Sequence, residues 1–214
     1  MKSSKKSLII CTCICMATLL VIIESQAAIA LDTPLSNSSK NNYGYQLESN
    51  VTNSSSNEIA YRNPQHGIFM LFPSNWTFST SGLPQYTQVA AFYAPLQNLS
   101  DPIPARFTIS VMSYEKPASL KEFTNNTLSS LNETNQVKIL SSGPTTLAGH
   151  PGYQVVFSTL PNMGNPVSLE IMHSWTAIGN KIYVFEYGVD SSKFNTYLPA
   201  VKQILQTIKI DGTA

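Results

Sequence analysis

The sequence predicts an α+β domain over residues 58–214, an antiparallel sheet with one mid-chain helix and a C-terminal helix. Three observations carry this. Short segments that alternate apolar and polar side chains recur between Gly, Pro and Asn turns. A segment opening at Ser119 and another near the C-terminus instead repeat at helical spacing. The 214 residues include 13 Pro, 10 Gly and 10 Tyr but only 12% charged residues. That charged share is too low for a coiled coil with charged flanks or for a nucleic-acid surface.

Taken in order, Ile59–Arg62 reads as a first strand, turned by Asn63-Pro64. Gly67–Phe72 is a continuous apolar strand stopped by Pro73, and Trp76–Ser79 continues after a turn. Gln88–Ala94 follows. Arg106–Tyr114 alternates, with Phe107, Ile109 and Val111 inward and Arg106, Thr108 and Ser110 on the other face, the half-buried strand pattern. Ser119 with Glu122 three residues on is a capping box. The helix that it opens lines up Leu120, Phe123, Leu128 and Leu131.

Val137–Ser141 and Thr145–Leu147 read as two strands split by Gly143-Pro144, and Gly149–Gly152 as a turn. Tyr153–Leu160 and Val167–Ile178 are strands joined by the loop 161–166. The second puts Val167, Leu169, Ile171, His173 and Trp175 on one face. Gly179-Asn180 is a tight turn before Lys181–Val189, whose two faces are both apolar and so need cover on both sides. Tyr197, Leu198, Val201, Ile204, Leu205 and Ile208 form a closing helix, which should begin near Thr196 because Pro199 suits only a first turn.

Ahead of the domain, Lys2, Lys5 and Lys6 precede an uncharged run, residues 8–23, and Ala28-Ile29-Ala30 offers a cleavage site. Residues 1–30 thus read as a secretory signal peptide, or as an uncleaved N-terminal membrane anchor through 8–23. Without them the chain keeps ten basic and eleven acidic residues, near net −1. Cys11, Cys13 and Cys15 all fall in that run, so residues 31–214 hold no disulfide and no thiol nucleophile. Residues 31–57 contain seven Ser and six Asn, too polar to bury a core, and read as a flexible linker. Sequons for glycosylation stand at Asn37, Asn50, Asn53, Asn75, Asn98, Asn125 and Asn132. Helical geometry points Asn125 and Asn132 away from the apolar stripe, toward solvent. Export, sequons and missing disulfides fit an archaeal surface protein.

The chemistry-bearing residues are few. No G-x-S-x-G elbow, H-E-x-x-H spacing or phosphate loop occurs, so no enzyme is expected. His173 reads as a core histidine, and Trp76 and Trp175 as core anchors. His66 and His150 lie at turns and are the candidate ligands of a divalent metal ion, with Glu170, Glu186 or Asp190 as the available third ligand. Otherwise no cofactor is expected. Glu170 and Glu186 are read as opposing each other across the Gly179-Asn180 hairpin.

Tyr61, the strand Gly67–Phe72 with Pro73-Ser74-Asn75-Trp76, the segment Leu147-Ala148-Gly149-His150-Pro151-Gly152-Tyr153 and the helix 194–208 together resemble the PsbP family. The family includes an exported extrinsic subunit of the photosynthetic oxygen-evolving complex and non-photosynthetic relatives. The resemblance implies an αβα sandwich around a central antiparallel sheet, and an assembly or accessory role rather than catalysis. The sequence therefore predicts a secreted or cell-surface binding module with a protein partner at the surface or membrane. The alternative is a metal- or small-ligand-binding accessory protein. Packing accounts for the helices and strands, which leaves the loops 80–87, 95–105 and 161–166 for binding. Glycans at Asn75 and Asn98 would shield the first two. The expected contact is thus Asn162, Met163, Gly164 and Asn165, on one edge with the 149–152 turn and His150.

Overall fold

The computed structural model describes residues 57–80, 87–97, 103–161 and 167–212, and the backbone of Leu47–Glu48. Its strands are β1 (Leu47–Glu48), β2 (Glu58–Asn63), β3 (Ile68–Pro73), β4 (Thr77–Ser79), β5 (Gln88–Tyr93), β6 (Arg106–Ser113), β7 (Val137–Leu147), β8 (His150–Thr159), β9 (Leu169–Ile178), β10 (Lys181–Asp190) and β11 (Lys209–Ile210). Helix α1 is Leu120–Glu133 and helix α2 is Phe194–Thr207. Among the described residues, seven strands form one antiparallel sheet in the order β4-β5-β6-β10-β9-β8-β7, and four form a smaller one, β1-β2-β3-β11.

Successive side chains of the large sheet go to opposite faces. Phe107, Ile109, Tyr183, Phe185 and Tyr187 pack beneath the small sheet and α2, in one core with Met70, Phe72, Val201 and Ile204. Val155, Phe157, Ile171, Trp175, Ile182 and Val184 face the other way, beneath Phe123, Leu128 and Leu131 of α1. The layers are therefore α1, large sheet, then α2 with the small sheet. The α+β class and the two covering helices are as the sequence predicts.

Local signals explain most element ends. Ser119 caps α1 by accepting from the Glu122 N–H at 3.2 Å. Gly179, at φ 59°, opens the two-residue turn between β9 and β10, and pairs Ile178 with Lys181. The same turn holds the approach to α1. The Gly179 carbonyl accepts from Ala118 N–H at 2.9 Å, and Asn180 Nδ2 donates to the Tyr114 carbonyl at 2.7 Å.

Five expectations need correction. Val137–Leu147 is one strand, not two. It is the sheet edge, where Pro144 forfeits no interior ladder bond. The turn after it is Ala148-Gly149 alone, with φ 51° and 80°, so His150, Pro151 and Gly152 already belong to β8. Helix α2 begins at Phe194, ahead of Thr196, which puts Pro199 beyond its first turn. Asn195 and Pro199 are both exposed, so water meets the carbonyl that the proline leaves unbonded. Leu47–Glu48, within the expected linker, pairs with Ala60 and Tyr61. The fifth correction concerns β6, whose outer face is buried at Arg106 and Thr108 and only half-exposed at Ser110. The closing strand β11, paired to β3 at Phe69 and Ile68, adds an element that the sequence reading lacked.

Trp175 is fully buried, and its Nε1–H donates to Thr124 Oγ1 of α1 at 2.9 Å. Trp175→Ala is expected to destabilise by about 3–5 kcal/mol in chemical denaturation, through the cavity that it leaves. Thr124→Val, which removes only the acceptor, is expected to lose about 1–3 kcal/mol. An unchanged midpoint for either variant would contradict this packing.

Candidate functional site

The sheet register brings together a set of polar side chains that sequence spacing scatters. On the α1 face, β6 presents Arg106, Thr108 and Ser110, β10 presents Glu186 opposite Thr108, and β9 presents His173 opposite Glu186. Gln88 of β5 stands opposite Ser110, next to a register shift. Side by side these residues make a polar stripe across an otherwise apolar, covered face. Arg106 is 8% exposed, and Glu186 and His173 are each 5% exposed. Burying such groups is costly unless each is paired.

His173 and Glu186 are a pair, with Nε2 2.7 Å from a carboxylate oxygen. The imidazole sits edge-on between Phe157 and Trp175, with ring centroids 6.2 Å from each. Burial alone would raise the Glu186 carboxyl. The charge and hydrogen bond of His173, then the charge of Arg106, outweigh burial and hold it below its ordinary value. Arg106 makes no ion pair with it at bonding distance. The guanidinium instead donates from Nη2 to Gln88 Oε1. Arg106 Nε and Nη1 are buried without an acceptor among the described residues.

The residues singled out from sequence fall elsewhere. His66 ends a 3-10 turn, Pro64–His66, and is half-buried. Its N–H donates to Asn63 Oδ1 at 3.2 Å, and its carbonyl accepts from the Tyr183 hydroxyl at 3.1 Å. Its ring is held below the usual histidine range by burial first and by the charge of Lys181 second. That ammonium would repel a metal cation as well. His150 is half-buried at the start of β8. Among the described residues no three side chains of His, Cys, Asp or Glu are grouped as metal ligands. Glu170 stands opposite Val189, not Glu186, so the two carboxylates are not a pair. Counting outward from the two-residue turn gives this register, and would have matched His173 to Glu186 from sequence alone.

His150 and the strand ends that flank residues 162–166 do not share an edge. His150 opens β8 and Thr159 closes it. Nine steps of extended chain, at ~3.3 Å each, put the two about 30 Å apart, at opposite ends of the sheet. Tyr93, Arg106, Gly188, Ile171 and Phe157 run across the sheet in one ladder, so the strand ends flanking 95–105 and 161–166 share an end. Asn162, Met163, Gly164 and Asn165 themselves lie outside the described residues, as do Asn37, Asn50, Asn53 and Asn98. Asn75, Asn125 and Asn132 are exposed, the latter two on α1. Among the described residues no helix is long and apolar enough to cross a membrane.

No family model and no curated protein matches the sequence. Solved structures do match the fold. The solution structure of cyanobacterial PsbP (CyanoP) from Synechocystis sp. PCC 6803 aligns with TM-score 0.54 at 13% identity, covering 77% of this chain and 98% of that one. LpqN of Mycobacterium tuberculosis, a protein involved in cell envelope biogenesis, aligns with TM-score 0.51 at 13% identity, over 67% and 82%. A Pseudomonas aeruginosa protein of unknown function aligns with TM-score 0.50 at 14% identity, over 71% and 96%. The chain therefore has a PsbP-like fold.

Because the folded-state Glu186 carboxyl lies below its ordinary 4.5, the pair stabilises fully above that pH and is lost as pH falls through the folded value. Wild-type stability should decline below about pH 4.5. Glu186→Gln should flatten that decline and destabilise by about 3–5 kcal/mol near neutrality, because it leaves a buried charge uncompensated. Parallel denaturant midpoints for the two proteins across this window would rule the pair out as the titrating element.

Proposed function

We propose that this chain is an exported, non-enzymatic binding or accessory module that works at the cell surface with a protein partner. The observation that carries the reading is the joining of a PsbP-like fold to an N-terminal export signal, Lys2 to Ala30. LpqN, which shares the fold, is tied to envelope biogenesis. The exposed sequons Asn75, Asn125 and Asn132 suit a glycosylated surface protein. A rigid three-layer body with loops gathered at one sheet end is a common platform for recognition. The proposed partner contact is Asn162–Asn165, with 95–105 as the neighbouring surface at that end. Thr159, which leads to that loop, and His150 lie at opposite ends of β8, which separates any metal-binding test from the partner-binding test.

Protein recovered from the surface fraction should begin at Leu31 and carry glycan on Asn125 or Asn132, read by N-terminal sequencing and glycopeptide mass spectrometry. Met1 retained in the membrane fraction would replace cleavage by anchorage through residues 8–23. An unglycosylated chain found only in the cytoplasm would refute export. Replacing Asn162-Met163-Gly164-Asn165 with a Gly-Ser linker should keep the melting temperature and abolish in-cell crosslinks to the partner. Crosslinks that persist there, yet vanish when 95–105 is altered, would move the contact to that loop.

A further inference from the structure

The polar stripe on the α1 face is not used by the partner-binding reading, and it poses its own chemical question. Arg106 carries a fixed positive charge, lies over nine-tenths buried, and bonds a single neutral acceptor, Gln88. The Nε–H and both Nη1–H donors point at no acceptor among the described residues. The nearby carboxylate, Glu186, is committed to His173 at 2.7 Å. A buried guanidinium left in this way is unfavourable.

What would satisfy it is constrained. Every open group on Arg106 is a donor, so the missing piece must be an acceptor. The charge is permanent, so a negative ligand gains most. A cation is excluded by the guanidinium itself. The neighbours on the same stripe, Gln88, Thr108 and Ser110, are neutral and supply amide and hydroxyl donors. Gln88 and Ser110 are half-exposed, so the stripe meets solvent at that end. We propose that Arg106, with Gln88, Thr108 and Ser110, binds a small oxyanion, either a carboxylate or a phosphate. This goes beyond the partner-binding reading and stands or falls separately from it.

The test uses the chain as recovered from cells, in a buffer free of both anions. Sodium phosphate and sodium acetate are titrated against sodium chloride at matched ionic strength. Melting temperature and the Nε–Hε resonance of Arg106 in a nitrogen–proton spectrum are followed together, the resonance being assigned by its loss in Arg106→Lys. Phosphate, acetate or both should raise the melting temperature saturably and move the Arg106 resonance with the same dissociation constant. The tighter of the two names the anion class. Ser110→Ala, a half-exposed change that should not impair folding, should weaken the constant about fivefold, the worth of one neutral hydrogen bond. Equal shifts in all three salts, or a stationary Arg106 resonance in both phosphate and acetate, would overturn the proposal. Both readouts come from the wild-type chain, so they decide the matter even if the Arg106 variant fails to fold and the resonance has to be assigned by through-bond spectra.

Discussion

The register of the hairpin around Gly179 and Asn180 governs the arrangement of the molecule. A two-residue turn leaves one way to pair β9 with β10, and a slip by one residue would send every side chain to the wrong face. Both strands are interior to the large sheet and both faces are covered, so that slip would bury the wrong set twice. The register puts Trp175 beneath α1 and beside Val184, and Tyr183 and Tyr187 beneath the other layer. It also sets His173 opposite Glu186. The turn's own carbonyls and amide reach back to Tyr114 and Ala118, so the approach to α1 is fixed by the same few atoms.

This geometry divides the sheet into two ends with different character. One end gathers the hairpin turn, His150 and the Lys181–His66 neighbourhood, where positive charge and burial disfavour a protonated histidine. The other gathers the ends of β5, β8 and β10 and the starts of β6 and β9, with the connecting loops beyond. Between them, on the α1 side, lies the stripe from Gln88 through Arg106 to Glu186 and His173. An apolar face of that size would pack more simply without charges.

Much of the fold was legible because local chemistry and burial agree. The Ser119–Glu122 box starts α1 where expected, and the alternation of β9 placed Trp175 and His173 inside. The errors arose where tertiary position overrides a local signal. Gly143-Pro144 normally breaks a strand, but an edge strand tolerates it. Pro199 normally starts a helix, but on an exposed face it can sit farther in. Alternation in β6 implied one wet face, because a period of two cannot tell a solvated polar row from a buried one. The site was hidden for the same reason. Arg106, Glu186 and Gln88 reach one face of the sheet from three different strands, and only His173 with Glu186 could have been paired by counting from the turn. His150 and the 161–166 loop looked adjacent because they are close in number, although an extended strand is the longest path that ten residues can take.

The two covers of the large sheet are also unequal in how they are held. On one side α2 is sewn in from both ends. The Tyr187 hydroxyl bonds the Phe194 carbonyl, the Thr207 hydroxyl bonds both the Leu71 N–H and carbonyl, and β11 then zips onto β3. On the other side α1 rests, among the described residues, on an apolar stripe, the Trp175–Thr124 bond and the turn contacts at its approach, and it ends exposed at Glu133. The molecule should therefore breathe asymmetrically. Amide protons of α1 would exchange with solvent deuterium through a partial opening well below the global unfolding free energy, while those of α2 and β10 wait for the whole domain. Each such opening bares Trp175 and the apolar row that α1 covers while the larger core on the other face stays closed, so one face of the sheet is reachable on the timescale of a local fluctuation without the fold being lost.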